Sequence, residues 1–182
     1  WLRYAGSAGT FQWTDGTVRL SASAEVTSTN PLGRFRTLGP TQALHTDRLF
    51  VYEDDLAYID ADGGLIHANV AQYGGPAGQR GETYVNAGGT YIIDNAVAIG
   101  GTLESNGGTG ELRVIDGSAA IGQAALVWTD GVIDVQGGSM TSPIVDVVGG
   151  VARQSGGTFI VSNDLTTACL LYTSDAADEG HC

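Results

Sequence analysis

The sequence predicts an all-β fold of the parallel β-solenoid type. Three observations predict it: a recurring glycine-bearing doublet, apolar residues at every second position around that doublet, and few helix signals. The doublet occurs six times, at 15–16, 63–64, 88–89, 116–117, 137–138 and 156–157. Asp-Gly and Gly-Gly accept positive φ at both positions, as a tight turn requires. Each doublet therefore marks a corner between two strands.

The residues around the corners alternate between apolar and polar types. Leu112 and Val114 precede one doublet, and Ile133 and Val135 precede the next. The position two residues after each doublet predicts a single inward column, which consists of Val18, Ile66, Tyr91, Ala119, Met140 and Phe159. Period-two alternation on both sides of a turn indicates two strands with one buried face.

The spacing of the corners favours stacked coils. From Gly64 onward the second glycine recurs after 25, 28, 21 and 19 residues, which suits a solenoid whose loops absorb unequal lengths. The alternative is a set of antiparallel hairpins, each closed by a doublet, in a sandwich or meander. A third apolar patch in each repeat, such as Val97 with Ile99 or 145–148, favours the solenoid because a coil of three short strands explains it.

The chain divides into three segments by this pattern. Residues 1–75 are expected to start the solenoid irregularly, with an excursion at 30–49 that carries two of the four prolines and three of the eight arginines. Residues 76–168 are expected to form regular coils. Residues 169–182 break the repeat and contain both cysteines, Cys169 and Cys182.

The tail from Cys169 to Glu179 resembles the translation of a transposase mosaic end and adapter used in sequencing libraries. It is therefore expected to be non-native. Without its three acids, 17 acids remain against eight arginines, for a formal charge of −9 instead of −12. The chain begins at Trp1 without an initiator methionine, and we expect it to be a fragment.

The charge restricts the partners. All eight basic residues are arginine, and the acidic balance should repel nucleic acid and anionic membrane surfaces. No apolar run approaches the ~20 residues of a membrane helix, so no membrane insertion of this segment is expected.

Three stretches, "GELRVIDGSAAIGQAALV", "GVIDVQGGSMTSPIVDVVGG" and "RQSGGTFIVSNDL", are similar to the Gly-Gly-Thr β-strand repeats of autotransporter-type passenger regions. Large secreted bacterial proteins with C-terminal sorting signals carry similar repeats. The resemblance implies a right-handed parallel β-helix, export across a membrane, and an extracellular or bacterial cell-surface location. It implies no shared catalytic residues, and we assign none.

The densest acidic stretch, "YEDDLAYIDADGG", offers the one metal candidate. Asp60 and Asp62 precede a Gly-Gly turn, as in half of a calcium loop, and calcium is the one cofactor considered. The distal glutamate of a full loop is missing. The histidines His45 and His67 lack zinc spacing and are expected to be solvated or hydrogen-bonded.

Two surface features follow from the predicted register. Arg113, Asp134 and Arg153 occupy equivalent outward positions in three successive coils, which predicts an ion-pair ladder. Trp128 and Tyr73 are candidates for stacking on sugar rings if they are exposed, whereas Trp13 is expected in the core.

These features predict a structural, spacer or adhesin-like segment of a secreted or cell-surface protein. Its candidate partners are surface glycans or other cell-surface proteins. The alternative is a fragment of an extracellular carbohydrate-active β-helix enzyme, a lyase or a glycosidase. Such an enzyme needs paired carboxylates, or calcium with an arginine or lysine base, on one outer face. The outward acids are expected at different offsets with no shared column, which argues against an enzyme; they are Asp60, Asp94, Asp134 and Asp146.

Overall fold

The computed structural model describes residues 13–26, 37–52, 57–167 and 171–172. These residues form a parallel β-solenoid of about six turns. Its strands lie in two sheets. The nine-stranded sheet contains β1 Gly16–Val26, β3 Gln42–Val51, β5 Leu65–Gly74, β7 Thr90–Ile93, β8 Ala96–Gly101, β10 Ser118–Ile121, β11 Ala124–Val127, β13 Ser139–Val147 and β15 Thr158–Thr167. The seven-stranded sheet contains β2 Thr37–Leu38, β4 Ala57–Asp62, β6 Arg80–Asn86, β9 Thr109–Val114, β12 Gly131–Val135, β14 Val151–Gln154 and β16 Leu171–Tyr172.

Every pairing between these strands is parallel, which confirms the solenoid and rules out the hairpin arrangement. Each coil that is described in full contributes one strand to the seven-stranded sheet and two segments to the nine-stranded sheet. In β13 the two segments join at a register shift between Ser142 and Ile144. In the coil that follows β6 they are the separate strands β7 and β8, which both pair with β5. The second segment of each coil corresponds to the third apolar patch that the sequence shows in each repeat.

The core consists of stacked apolar columns. The predicted column exists, because each of its members pairs in register with the next coil, and Leu44 extends it between Val18 and Ile66. Ile66, Tyr91 and Met140 are fully buried. Columns from the other two segments meet this one inside the coil, for example Leu112 and Ile133 from the seven-stranded sheet.

The predicted excursion at 30–49 is wrong for its second part. Residues 42–49 lie within β3, which pairs with β1 on one side and β5 on the other as a regular layer. Residues 30–36 lie outside the described residues. Most of the tail from 169 also lies outside them, and Leu171–Tyr172 pairs with β14.

The two glycines of the corner at 88–89 have different roles, whereas the sequence predicted positive φ at both positions of each doublet. Gly88 has a φ of 76° and no atom within 4 Å of an added Cβ. Its neighbour Gly89 lacks positive φ, but a Cβ there would lie 1.8 Å from the carbonyl oxygen of Ala61 in the preceding coil. One glycine therefore makes the turn, and the other lets successive coils approach closely.

A polar ladder closes the corner between the two segments of the nine-stranded sheet. Asn69 Nδ2 donates to Asp47 Oδ1 at 3.0 Å, Asn95 donates to Asn69, and Gln123 donates to Asn95. Each of these bonds is donated to the preceding coil. Asn69 and Asn95 therefore each donate to the preceding coil and accept from the following coil.

Candidate functional site: a charged face of the seven-stranded sheet

Alternation along five strands places polar and aromatic side chains on the outer side of the seven-stranded sheet. In β9, for example, Leu112 and Val114 point inward and are buried, so Glu111 and Arg113 point outward. Parallel register then aligns these positions from coil to coil. We call this surface the charged face; it consists of Tyr58, Asp60, Glu82, Tyr84, Glu111, Arg113, Asp134, Gln136 and Arg153.

The predicted ion-pair ladder lies at the centre of the charged face. Arg153 Nη2 donates to Asp134 Oδ2 at 2.8 Å, and Arg113 Nε lies 3.8 Å from the same oxygen. Gln136 Nε2 also donates to it, at 2.9 Å. Glu111 joins the ladder through a 2.7 Å bond from Arg113 Nη2. The ladder of Arg113, Asp134 and Arg153 is confirmed.

Asp134 differs from the exposed carboxylate that the sequence predicted. Its side chain is only 3% exposed, beneath arginines that are 30% and 47% exposed. Burial alone would raise its pKa, but hydrogen bonds from Arg153 and Gln136 and the charges of both arginines outweigh burial and lower the pKa. Asp134 is therefore held ionised and shielded, a state suited to stabilising the surface rather than to proton transfer.

Aromatic residues extend the charged face toward the preceding coils. The guanidinium carbon of Arg113 lies 5.5 Å from the ring centroid of Tyr84, within the range of a cation–π contact. Tyr84 also contacts Tyr58 edge to face, with centroids 6.1 Å apart. Burial and the hydrogen bond that its hydroxyl donates to Glu82 raise the pKa of Tyr84, so it remains a neutral phenol.

The expectation that the outward acids share no column is wrong for two of the four. Asp60 and Asp134 lie in one column, since Asp60 pairs with Tyr84, Tyr84 with Arg113, and Arg113 with Asp134. Asp94 lies at a corner of the nine-stranded sheet, and Asp146 lies in β13.

The pKa of Asp60, which also lies on the charged face, is raised, whereas that of Asp134 is lowered. Burial raises the pKa of Asp60, and the charge of Asp62 adds to the rise, while a 3.2 Å hydrogen bond from Asn86 Nδ2 opposes it. Asp60 Oδ1 is buried without a hydrogen-bond partner. Such a carboxyl is easier to protonate than an ordinary aspartate.

The calcium hypothesis for Asp60 and Asp62 stays a prediction. The two residues share the outer side of β4, as expected. Among residues 13–26, 37–52, 57–167 and 171–172, no group of three or more His, Cys, Asp or Glu side chains is placed to hold a metal ion. Glu53, Asp54 and Asp55 lie outside the described residues.

Of the three aromatic candidates, Trp13 packs against the core and Trp128 lies near a corner, as expected, whereas Tyr73 does not meet the condition of exposure. Tyr73 is fully buried and cannot stack on a ligand. Trp13 is partly buried against the core. Trp128 is half-buried near a corner, where its indole Nε1 donates to the Thr102 carbonyl at 2.8 Å. The tyrosines of the charged face were not identified from the sequence, because their alignment depends on coil lengths that vary.

The histidines are hydrogen-bonded to their neighbours, as expected. His67 contacts both His45 and Asp94 on the outer side of the nine-stranded sheet. In the part of the chain that the structure describes, no helix is long and apolar enough to cross a membrane. Comparison with protein-family models, with curated proteins and with solved structures finds no match.

Proposed function

We propose that this chain is a scaffold segment of a secreted or cell-surface β-solenoid protein. The observation that carries the proposal is the continuous stacking of apolar columns through every described coil, with the charges at the centre of the outer face held in ion pairs. Each coil repeats the same structure and lengthens the solenoid by ~4.8 Å, the distance between neighbouring strands. Such a structure suits a rigid spacer that separates other parts of a protein from a surface.

The surface location rests on the repeat resemblance of the sequence. Antibodies raised against this chain should label intact cells of the source organism. Labelling that appears only after the cells are permeabilised would contradict a surface location. Pre-incubating the antibodies with the purified chain supplies the control, because it should abolish specific labelling.

A second candidate is an extracellular enzyme that acts on polysaccharides, and the charged face favours it. Carboxylates gather with arginines and tyrosines on one sheet, and glycoside hydrolysis uses a pair of carboxylates. Asp60 would be the proton donor, because its raised pKa suits a general acid better than the ion-paired Asp134.

One experiment separates the two candidates. The chain and its Asp60→Asn variant are incubated with a panel of neutral and uronate polysaccharides, and release of reducing ends or unsaturated products is measured. The scaffold proposal expects no turnover. Turnover that Asp60→Asn abolishes and the matched Asp62→Asn variant retains would instead support the enzyme. Equal unfolding free energies of both variants would show that the fold is intact.

A further inference from the structure

Two histidines of adjacent coils face each other on the outer side of the nine-stranded sheet. His45 of β3 pairs in register with His67 of β5. Their Nδ1 atoms are 3.2 Å apart, and their rings meet at 65° with centroids 5.1 Å apart. Both side chains line a surface depression of about 430 Å³ together with Arg19, Asp47 and Asp94.

Asp94 determines which nitrogen of His67 carries a proton. Its carboxylate oxygens lie 2.9 and 3.0 Å from His67 Nε2, so that nitrogen donates a hydrogen bond to the carboxylate. A neutral imidazole carries a single N–H. The Nδ1 of neutral His67 therefore presents its lone pair to His45, whose Nδ1–H donates to it in the metal-free protein. A metal ion bound between the two nitrogens would take the place of that proton, which would move to His45 Nε2.

The pair has the spacing of two ligands on one ion. A tetrahedral metal with bonds of about 2.0–2.1 Å holds two nitrogens roughly 3.3 Å apart. The observed separation is 3.2 Å. The contact of Asp94 with the remote nitrogen of His67 matches the carboxylate–histidine–metal arrangement, in which an outer carboxylate orients the ligand and raises its basicity.

Arg19 lines the same depression as the two histidines. Its positive charge opposes an incoming cation, so its removal should strengthen metal binding. Stronger metal binding after the removal of Arg19 would distinguish a metal site from a pair of histidines with a purely structural role.

We propose that His45 Nδ1 and His67 Nδ1 form a two-nitrogen site for a divalent transition metal of the zinc, nickel and copper class. Asp94 acts as the positioning residue. No further His, Cys, Asp or Glu ligand completes the site among the described residues, so water or a group from another molecule fills the remaining positions. Imidazole ligands select this class of metals over calcium or magnesium.

The test is calorimetric titration of the full chain with ZnCl₂ and NiCl₂. Cys169 and Cys182 are replaced by Ser, so that thiols do not bind the ions. We expect saturable binding of one ion per chain and a rise in unfolding temperature with metal concentration, as binding to the folded state requires. The control is His181→Gln, which should bind with unchanged affinity because His181 is not part of the pair.

Four further variants define the site. His45→Gln and His67→Gln should each abolish saturable binding and the metal-dependent rise in unfolding temperature. Asp94→Asn should weaken binding by about 10- to 100-fold, the usual effect of losing an outer-shell partner. Arg19→Gln should strengthen it. Absence of saturable binding, or equal affinity in either histidine variant with an unchanged fold by circular dichroism, would overturn the proposal.

Discussion

Replacing Arg153 with Met removes the cation that donates to the buried carboxylate of Asp134. The carboxylate would keep Gln136 at 2.9 Å and Arg113 at 3.8 Å, so it would be poorly compensated rather than isolated. A hydrogen bond to a charged group contributes about 1.5–3 kcal/mol. We expect a loss of about 2 kcal/mol, below the ~3–5 kcal/mol that follows when a buried charge loses its partner entirely.

A double-mutant cycle isolates this interaction. Asp134→Asn should cost about 1 kcal/mol, because it leaves Arg153 half exposed to water with Glu111 still nearby. The double variant should cost no more than Asp134→Asn alone within about 0.5 kcal/mol, since the arginine has then lost its buried partner. The assay is urea unfolding at pH 7 and low salt, followed by far-UV circular dichroism.

The matched control is Arg48→Met. Arg48 pairs with Asp47 at 3.7 Å, and the two side chains are 62% and 47% exposed. An exposed pair of this kind is worth at most about 1 kcal/mol, and we expect a change below ~0.5 kcal/mol. Additive single effects at Arg153 and Asp134, or a loss at Arg153 no larger than at Arg48, would refute the reasoning.

The remaining predictions are read from the same unfolding assay. Gly89→Ala should lower the unfolding free energy by more than about 3 kcal/mol, because the new Cβ would collide with the backbone of the preceding coil. Gly88→Ala should lower it by only ~1–2 kcal/mol, the cost of a positive φ for alanine. Equal losses would contradict the different roles of the two glycines. Ile133→Ala should cost about 2–5 kcal/mol because Ile133 is fully buried, and a loss below about 1 kcal/mol would contradict its place in the core. The lowered pKa of Asp134 stabilises the fold above about pH 4, its unfolded pKa, so the deficit of Asp134→Asn should shrink as pH falls through the folded pKa; a constant deficit from pH 7 to pH 2 would contradict this. The raised pKa of Asp60 means that the folded protein disfavours its charged form, which lowers stability at pH 7. Asp60→Asn should therefore not lower the unfolding free energy at pH 7, and a loss there would contradict the raised pKa.

The sequence predicted the parts of the fold that depend on local pattern. The alternation around the doublets identified the inward column from Val18 to Phe159, and it also aligned Arg113, Asp134 and Arg153 correctly. Both predictions use positions counted from a nearby corner, where unequal coil lengths have no effect. The second strand segment was found for the same reason, because Val97 and Ile99 follow their corner at a short distance.

The missed coil at 37–51 has a corner without a glycine doublet. Its turn runs through Gly39 and Pro40, and the side chain of Gln42 supplies a bond that closes it. The side-chain oxygen Oε1 of Gln42 accepts a hydrogen bond from the backbone N–H of Gly39 at 2.8 Å. The backbone N–H of Gln42 donates to the Gly39 carbonyl at 2.9 Å. A side-chain closure of this kind leaves no repeat signature, so the sequence pattern predicts an excursion where the structure has a regular layer.

The charged face was only partly predictable, because it depends on alignment across several coils. Asp60, Tyr84 and Arg113 are 24 and 29 residues apart along the chain, and nothing local shows that they share a column. The pairing of His45 with His67 was missed for a related reason, since it requires the coil that the sequence did not reveal.

The central claim is that successive coils stack in parallel register, and cysteine cross-linking tests it most directly. In a background with Cys169 and Cys182 replaced by Ser, one variant carries Val132→Cys and Val151→Cys, which are register partners in adjacent coils. Their separation of ~4.8 Å between neighbouring strands permits a disulfide. The other carries Val151→Cys and Ser162→Cys, which a hairpin at Gly156–Gly157 would bring together. Oxidation followed by non-reducing mass spectrometry should show the disulfide in the first variant and free thiols in the second; the reverse result would contradict the parallel solenoid.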